Sequence, residues 1–323
     1  MMPTVFHSLD EAKLRFEPSA LAIGNLDGVH IGHQALLRRT LAAAAERDFE
    51  PSVLTFHPHP TAVTAPERTP DLITTLEEKL RILGSLGVRQ VMVLPFTAEI
   101  AGMNPEEFVS QILLDALKTR VVLVGENFRF GHKQAGTPAV LEDLGYQFGF
   151  DSQFLHPVTL RGEVVSSSVV RQHLHSGSMS RAARLLNRWF FVEGPVVSGH
   201  GVGAKQTVPT LNLRPAPGQI LPRGVYVTET WDPASRRRWP SITNAGVRPT
   251  FGGEDLTIET YLLSPLEGVS PERIQVQFHR FIRAEQQFPD PAALKAQILR
   301  DVHRAQAYWR RMARVPNLTP SLY

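Results

Sequence analysis

The chain has 323 residues, of which 42% are apolar and 20% charged, and its formal net charge is +3. Length and balance predict a folded chain of two domains, and they exclude a disordered or strongly basic nucleic-acid-binding protein. The absence of cysteine excludes disulfides and thiolate zinc sites, as suits a cytoplasmic protein. No stretch has the roughly 18–20 apolar residues of a membrane span, and the N-terminus lacks a signal-peptide core, so no membrane partner is expected.

The run Leu21-Ala22-Ile23 reads as a short strand, followed by GNLDGVHIGH (24–33) and a helical pattern in HQALLRRTLAAAAERD (33–48). PSVLTF (51–56) reads as a strand entering a proline-rich loop (57–71). TLEEKLRILGSLG (75–87) is an amphipathic helix and VRQVMVLPF (88–96) a strand. NPEEFVSQILLDAL (104–117) has a capping asparagine, a proline at the first helical position and acids in the first turn, which predicts a helix. TRVVLVGENF (119–128) is a strand opening into a loop, TPAVLEDLGYQFG (137–149) a helix, and 153–158 a last strand. Such alternation predicts a Rossmann-like α/β domain with a parallel sheet and helices on both faces. Ligands on such sheets bind at the C-terminal strand ends, where GNLDGVHIGH and GENFRFG (125–131) both sit.

After about residue 185 the pattern changes. WFFVEGPVV, PTLNL, GVYVTETW, RRRWPSITNAG, LTIETYLL and IQVQFHRFI are short β-type segments separated by turns rich in Gly, Pro and Asp. They predict a small antiparallel β-barrel or sandwich, and 290–312 predicts a terminal amphipathic helix. Arg236-Arg237-Arg238 reads as a solvated loop. The boundary falls within 181–189, giving domains of 1–184 and 185–323.

In GNLDGVHIGH a glycine-rich turn carries a strand into a helix, so backbone N–H groups and the helix dipole favour phosphate. His30 and His33 are three apart and share a face, where both can hydrogen-bond a phosphate whose charge grows in a transition state. The literal HIGH is shared by class I aminoacyl-tRNA synthetases and related nucleotidyltransferases. The synthetases need a second, lysine-containing loop; SMSRAA (178–183) lacks the lysines, which favours a nucleotidyltransferase. SSSVVRQHL (166–174) sets three hydroxyls before a helix and Arg171 one turn inside it, a capping and anion-gripping pattern.

GNLDGVHIGH, TFHPHP (55–60), VGENFRFG (124–131) and SSSVVR together resemble, in order and spacing, the N-terminal half of the bacterial bifunctional riboflavin kinase/FAD synthetase family. GPVVSGHGVGAKQTVPTLNL, LPRGVYV, TNAGVRPTF, TIETYLL and FIRAEQQF follow in that family's order, so the likeness spans nearly the whole chain. It implies phosphorylation of riboflavin by ATP to FMN, then adenylylation of FMN by a second ATP to FAD and pyrophosphate, with Mg²⁺ as cofactor. The implied ATP and phosphate contacts are Gly24, Asn25, Asp27, Gly28, His30, His33, Ser167, Ser168 and Arg171 in the first half. In the second half they are Gly199, Gly201, Gly203 and Lys205. Asn127, Phe128, Phe130 and Arg283 would contact the flavin, Thr210 and Asn212 would hold Mg²⁺ through hard oxygens, and Glu259 would be the kinase general base.

The sequence departs from the family pattern in places. Lys205 stands near an arginine position, which keeps the charge but loses the bidentate fork, and Thr207-Val208 replace Gly-Phe. Tyr261, Ser264, Leu26 and Ser168 also differ from the usual residues. The kinase flap is thus the less typical part, and the alternative is a monofunctional FMN adenylyltransferase whose second domain only binds flavin.

Overall fold

The structure, a computed structural model, describes residues 2–197, 210–250 and 253–314, with the backbone alone at 247–250 and 253–257. The chain divides into two compact units, Met1–Ser167 and Ser168–Leu322.

The first unit opens with β1 (Thr4–Phe6), α1 (Leu9–Arg15) and β2 (Ser19–Ile23). A 3₁₀ turn, Asp27–Val29, leads into α2 (Ile31–Arg47), followed by β3 (Glu50–His57). The proline-rich segment expected as a loop contains α3 (Pro60–Thr64), because Pro60 takes the first helical position and the His59 side chain accepts from Thr61 N at 3.3 Å. Then come α4 (Leu76–Ser85), β4 (Gln90–Pro95), α5 (Ala98–Gly102) and α6 (Pro105–Glu107). α6 has the cap expected at Asn104, in the form of a capping box with Glu107, but it passes into a π-helix, Phe108–Ala116. β5 (Thr119–Gly125), α7 (Pro138–Phe148), β6 (Asp151–Leu155) and the small hairpin β7 (Thr159–Leu160) with β8 (Glu163–Val164) complete the unit.

The six main strands form one parallel sheet in the order β1-β4-β3-β2-β5-β6. β2 is buried at every position, as a central strand covered on both faces must be. Alternate strand residues feed two cores. Leu21, Ile23, Met92 and Val122 pack with Phe16, Phe108 and Leu141; Ala20, Ala22, Val91 and Val121 pack with Leu37, Ala44 and Leu83. Helices therefore cover both faces, as the alternation predicts. The chain leaves β2 toward β3 on one side and returns to β5 on the other, so β2 and β5 flank the switch point in strand order at which such sheets receive ligands.

The second unit holds most of α8 (Ser167–His175), then α9 (Met179–Leu186), β9 (Phe190–Val197), β10 (Thr210–Leu213) and β11 (Gly224–Asp232). β12 (Arg237–Thr250), β13 (Gly253–Leu262), β14 (Arg273–Arg283) and α10 (Pro291–Met312) follow. β9 to β14 close an antiparallel barrel in the order β10-β13-β12-β11-β14-β9. Arg237 and Arg238, expected in a loop, begin β12 and pair with Glu267 and Glu229.

One face of the barrel wall is lined by hydroxyls. Thr228 bonds Ser241 and Thr243 at 2.8 Å each, and Thr243 bonds Thr260 at 2.9 Å; all four are fully buried. The opposite face of the same strands presents Val225, Val227 and Ile242 to Ala305, Val302, Tyr308 and Trp309 of α10. α10 thus caps the outer wall, the terminal helix expected from its amphipathic pattern.

Candidate functional site

In the first unit the turn after β2 is built for one conformation. Leu26 (φ 49°) and Gly28 (φ 77°) are left-handed, and a Cβ at residue 28 would lie 3.0 Å from Ile73 Cγ2, so glycine is required twice over. Asp27, 2% exposed, turns its carboxylate toward the next loop and accepts from Ile73 N and Thr74 N at 3.1 Å. Gly28 N donates to Thr74 Oγ1 at 3.1 Å. Asp27, expected to meet phosphate, therefore ties the turn to residues 73–74.

His30 caps α2, its Nδ1 accepting from His33 N at 3.3 Å, and the two imidazoles stack with centroids 3.6 Å apart. Gly32 makes room for this arrangement: an added Cβ would sit 3.0 Å from His30 Cε1. Burial, then His30 and Lys79, hold His33 well below the ordinary imidazole range, so its ring is neutral at pH 7. His33 Nδ1 and Asn25 Oδ1 are buried with no hydrogen-bond partner among the described residues, a pattern that a ligand would complete.

Two further segments reach this turn. Ser167 Oγ donates to Asp27 O at 2.9 Å. The helix starts at Ser167, so of the three serines expected before it only Ser166 precedes it. Ser168 is exposed and Arg171 half-buried one turn further along α8. Asn25 Nδ2 lies 3.2 Å from His59 Nε2, and Thr55 Oγ1 donates to Asn25 O at 3.1 Å.

Sequence reasoning missed Lys79. It donates from α4 to Asn25 O at 2.7 Å and to Thr55 Oγ1 at 3.4 Å, and is 7% exposed. Its signal was a lysine inside the stripe Leu76, Leu80, Leu83. Burial brings it down to about 8, a shift that Asp27's charge partly opposes.

At the end of β5, Phe128 N donates to Gly125 O at 2.9 Å. Asn127 is exposed and Phe128 half-buried, whereas Phe130 is 6% exposed and packs on Phe108 at 5.5 Å. Phe130, expected at the flavin, is a core residue; it supports Phe128, whose ring lies nearly parallel to it at 5.5 Å.

In the second unit, Asn212 of β10 stands opposite Glu259 of β13, which stands opposite Asn244 of β12. Directly opposed residues share a face with Cβ atoms about 5 Å apart. The neighbours Leu211, Thr260 and Thr243 are buried toward the other side, so Thr210, Asn212, Glu259 and Asn244 occupy the outer wall. Thr210 is exposed and Asn212 and Glu259 are half-buried. Asn244 Nδ2 donates to Glu285 Oε1 at 3.2 Å. Arg283 Nε donates to Asp301 Oδ2 at 2.9 Å, which ties β14 to α10. Gly199, Gly201, Gly203, Lys205, Thr207 and Val208 lie outside the described residues.

A family model described as FAD synthetase matches residues 13–169, and one described as Riboflavin kinase matches residues 186–309. The chain is 34% identical over 304 residues to the bifunctional riboflavin kinase/FMN adenylyltransferase of Escherichia coli K12, covering 94% of this chain and 96% of that one. It is also 34% identical over 286 residues to the protein of that name from Pseudomonas fluorescens, covering 88% and 91%. The fold is similar, with a TM-score of 0.83 and 24% identity over 95% of this chain and 99% of the other, to a crystal structure titled Macrolide-efflux Protein from Streptococcus pneumoniae. That likeness is one of fold alone, and no helix among the described residues here is long and apolar enough to cross a membrane. On its motif sets, its two architectures and relatives matched from end to end, the chain belongs to the bifunctional riboflavin kinase/FMN adenylyltransferase family.

Proposed function

We propose that the chain makes FAD from riboflavin in two ATP-dependent steps, the kinase step within 185–323 and the adenylyl transfer within 1–184. The observation that carries this reading is the match to bifunctional relatives across both halves. Riboflavin, FMN and ATP are the small-molecule substrates, and both steps draw on ATP, which argues for the cytoplasm as the place of work.

In the first step the riboflavin 5′-hydroxyl oxygen attacks the γ-phosphorus of ATP. The new P–O bond forms as the bond to ADP breaks, and Glu259 takes the hydroxyl proton as general base. A hydroxyl and an amide oxygen on one wall beside a carboxylate are donors that suit Mg²⁺, so Thr210 and Asn212 would hold it. The ion, when bound, offsets phosphate charge. Gly199, Gly201, Gly203 and Lys205, which lie outside the described residues, would contact the ATP phosphates. The register that sets Asn212 beside Glu259 supports this assignment. Arg283, engaged with Asp301, is read as an anchor of α10 rather than a flavin contact.

In the second step an FMN phosphate oxygen attacks the α-phosphorus of ATP. The bond from that phosphorus to the β-phosphate oxygen breaks, and pyrophosphate leaves with the electron pair. His30 and His33 would hydrogen-bond the phosphate oxygens as charge develops, with Gly24, Asn25 and Gly28 shaping the turn and Ser167, Ser168 and Arg171 holding the anion. Asn127 and Phe128 would meet the nucleotide or flavin.

The test is incubation with riboflavin, ATP and Mg²⁺, with FMN and FAD resolved by chromatography. His33→Ala is expected to stop FAD formation while FMN accumulates. Glu259→Gln is expected to stop FMN formation while supplied FMN is still converted. Each loss should be on the order of 10²–10⁴-fold. FAD from supplied FMN but no FMN from riboflavin would favour the monofunctional alternative. Loss of both activities from either single change in a folded protein would sink the partition of sites.

A further inference from the structure

One charged group in the first unit has no place in the steps above. Lys79 lies on the buried stripe of α4 with Leu80 and Leu83. Its ammonium carries three protons but has two acceptors, Asn25 O at 2.7 Å and Thr55 Oγ1 at 3.4 Å, and among the described residues it forms no ion pair. The charged group acting on it is Asp27, whose carboxylate is already held by the backbone at Ile73 and Thr74. A buried ammonium without a bonded counter-ion is costly, and the cost falls when an anion arrives. Asn25 and Thr55 lie at the C-terminal ends of β2 and β3, where such sheets receive ligands. His33, whose Nδ1 is also without a partner, feels the same charge. Two buried groups short of partners thus meet under one glycine-rich turn.

We propose that Lys79 is a positioning residue of the adenylyl-transfer site: it fixes the Asn25 carbonyl and supplies, from beneath the turn, positive charge that balances the ATP phosphates and the departing pyrophosphate. The inference rests on the function proposed above. Lys79 makes and breaks no bond; it acts through the turn and through the field at His30 and His33. The titratable groups acting with it are Asp27 from the turn and His33 from the start of α2; His30 stacks on His33, and His59 lies across Asn25.

Conversion of supplied FMN to FAD by the unaltered protein comes first; its failure would fail the proposed function and leave Lys79 out of the question. Where conversion occurs, Lys79→Met is expected to lower kcat/KM for ATP in FAD formation about 10²-fold, with FMN formation from riboflavin within about twofold of the unaltered protein. Lys79→Arg, which keeps the charge, should recover about tenfold or more of that loss. In the unaltered protein kcat/KM for ATP in FAD formation should fall roughly tenfold per pH unit above about 8, and this limb should vanish in Lys79→Met. FAD formation by Lys79→Met within about threefold of the unaltered protein would overturn the proposal, as would an arginine variant that folds and recovers nothing. If neither variant folds, the unaltered protein decides: a kcat/KM for ATP that is flat from about pH 7 to about pH 10 overturns it, and the predicted fall supports it.

Discussion

Lys79 titrates near 8 rather than 10.5 because burial strips water from its ammonium, and Asp27 makes good only part of the loss. Below about 8 the folded and unfolded chains both hold the proton, and the folded state bears the full penalty, about 3 kcal/mol at roughly 1.4 kcal/mol per unit. Between about 8 and 10.5 the unfolded chain holds a proton that the folded protein has released, so stability rises with pH across that window. Lys79→Met keeps the length of the side chain and removes the charge, and Asn25 O retains its bond from Thr55. The variant should therefore be more stable at pH 7 by up to about 3 kcal/mol, with the gain gone by about pH 10.5. Denaturant unfolding of both proteins across that pH range reads it; a variant less stable at neutral pH would show that packing of the lysine stem outweighs its charge. A charge retained against stability is what a working site requires. The residue was partly legible in sequence, as a lysine interrupting an apolar stripe, but surface lysines often lay their stems along such stripes, so the pattern does not separate the two cases. The same limit hides Phe130: a loop has no period, and only the bridge between Phe130 and Gly136 turns that ring into the core.

At the level of elements, the β2–turn–α2 unit was readable because a continuous apolar run, a glycine-rich turn and a helical period follow one another with nothing long-range involved. The barrel strands were readable as strands but not by which face turns inward. In GVYVTETW the valines look like the core face and the threonines like the wet one, yet Thr228 and Thr230 are fully buried with hydroxyl partners, while Val225 and Val227 lie under α10. Both faces are buried, and only the arrival of α10 some 60 residues later explains why. That docking carries a polar clamp. Arg283, on β14, pairs with Asp301 of α10, which is 2% exposed and also accepts from Gln297 Nε2 at 2.9 Å. Arg283→Ala would leave a buried carboxylate with only an amide donor, and should destabilise the second unit by about 3 kcal/mol. Adding Asp301→Ala should return a good part of that loss, because the unpaired charge is then gone. Unfolding of the single and double variants checks the sign: a double variant less stable than Arg283→Ala would mean that Asp301 matters through Gln297 or through packing. Intact adenylyl transfer in both variants would show that the damage stays in the second unit.

For the molecule as a whole, two domains followed from the change of pattern near residue 185, but where each ends is a question of packing that local patterning does not answer. α9 has its buried side chains Met179, Ala182, Leu185 and Leu186 on one face, and its contacts run to β9 and β14 of the barrel. It therefore belongs physically to the barrel, although the boundary suggested by the sequence cuts it after residue 184, and the contact division falls at Ser167/Ser168. Burial of one methionine and two leucines is worth about 1.5–3 kcal/mol each, so α9 contributes roughly 4.5–9 kcal/mol to a unit whose whole stability should lie near 5–15 kcal/mol. Two fragments separate the cases. Residues 168–323 keep α9 and should fold and phosphorylate riboflavin; residues 185–323 keep only its last two residues, Leu185 and Leu186, too few to form the helix, and should melt far lower or fail to fold. Thermal unfolding with the riboflavin-to-FMN assay at a temperature below both midpoints measures the difference. Equal midpoints for the two fragments would place α9 outside the kinase fold and restore the boundary near residue 185. A large gap would mean that a riboflavin kinase module of this architecture begins at a helix, α9, before its first barrel strand.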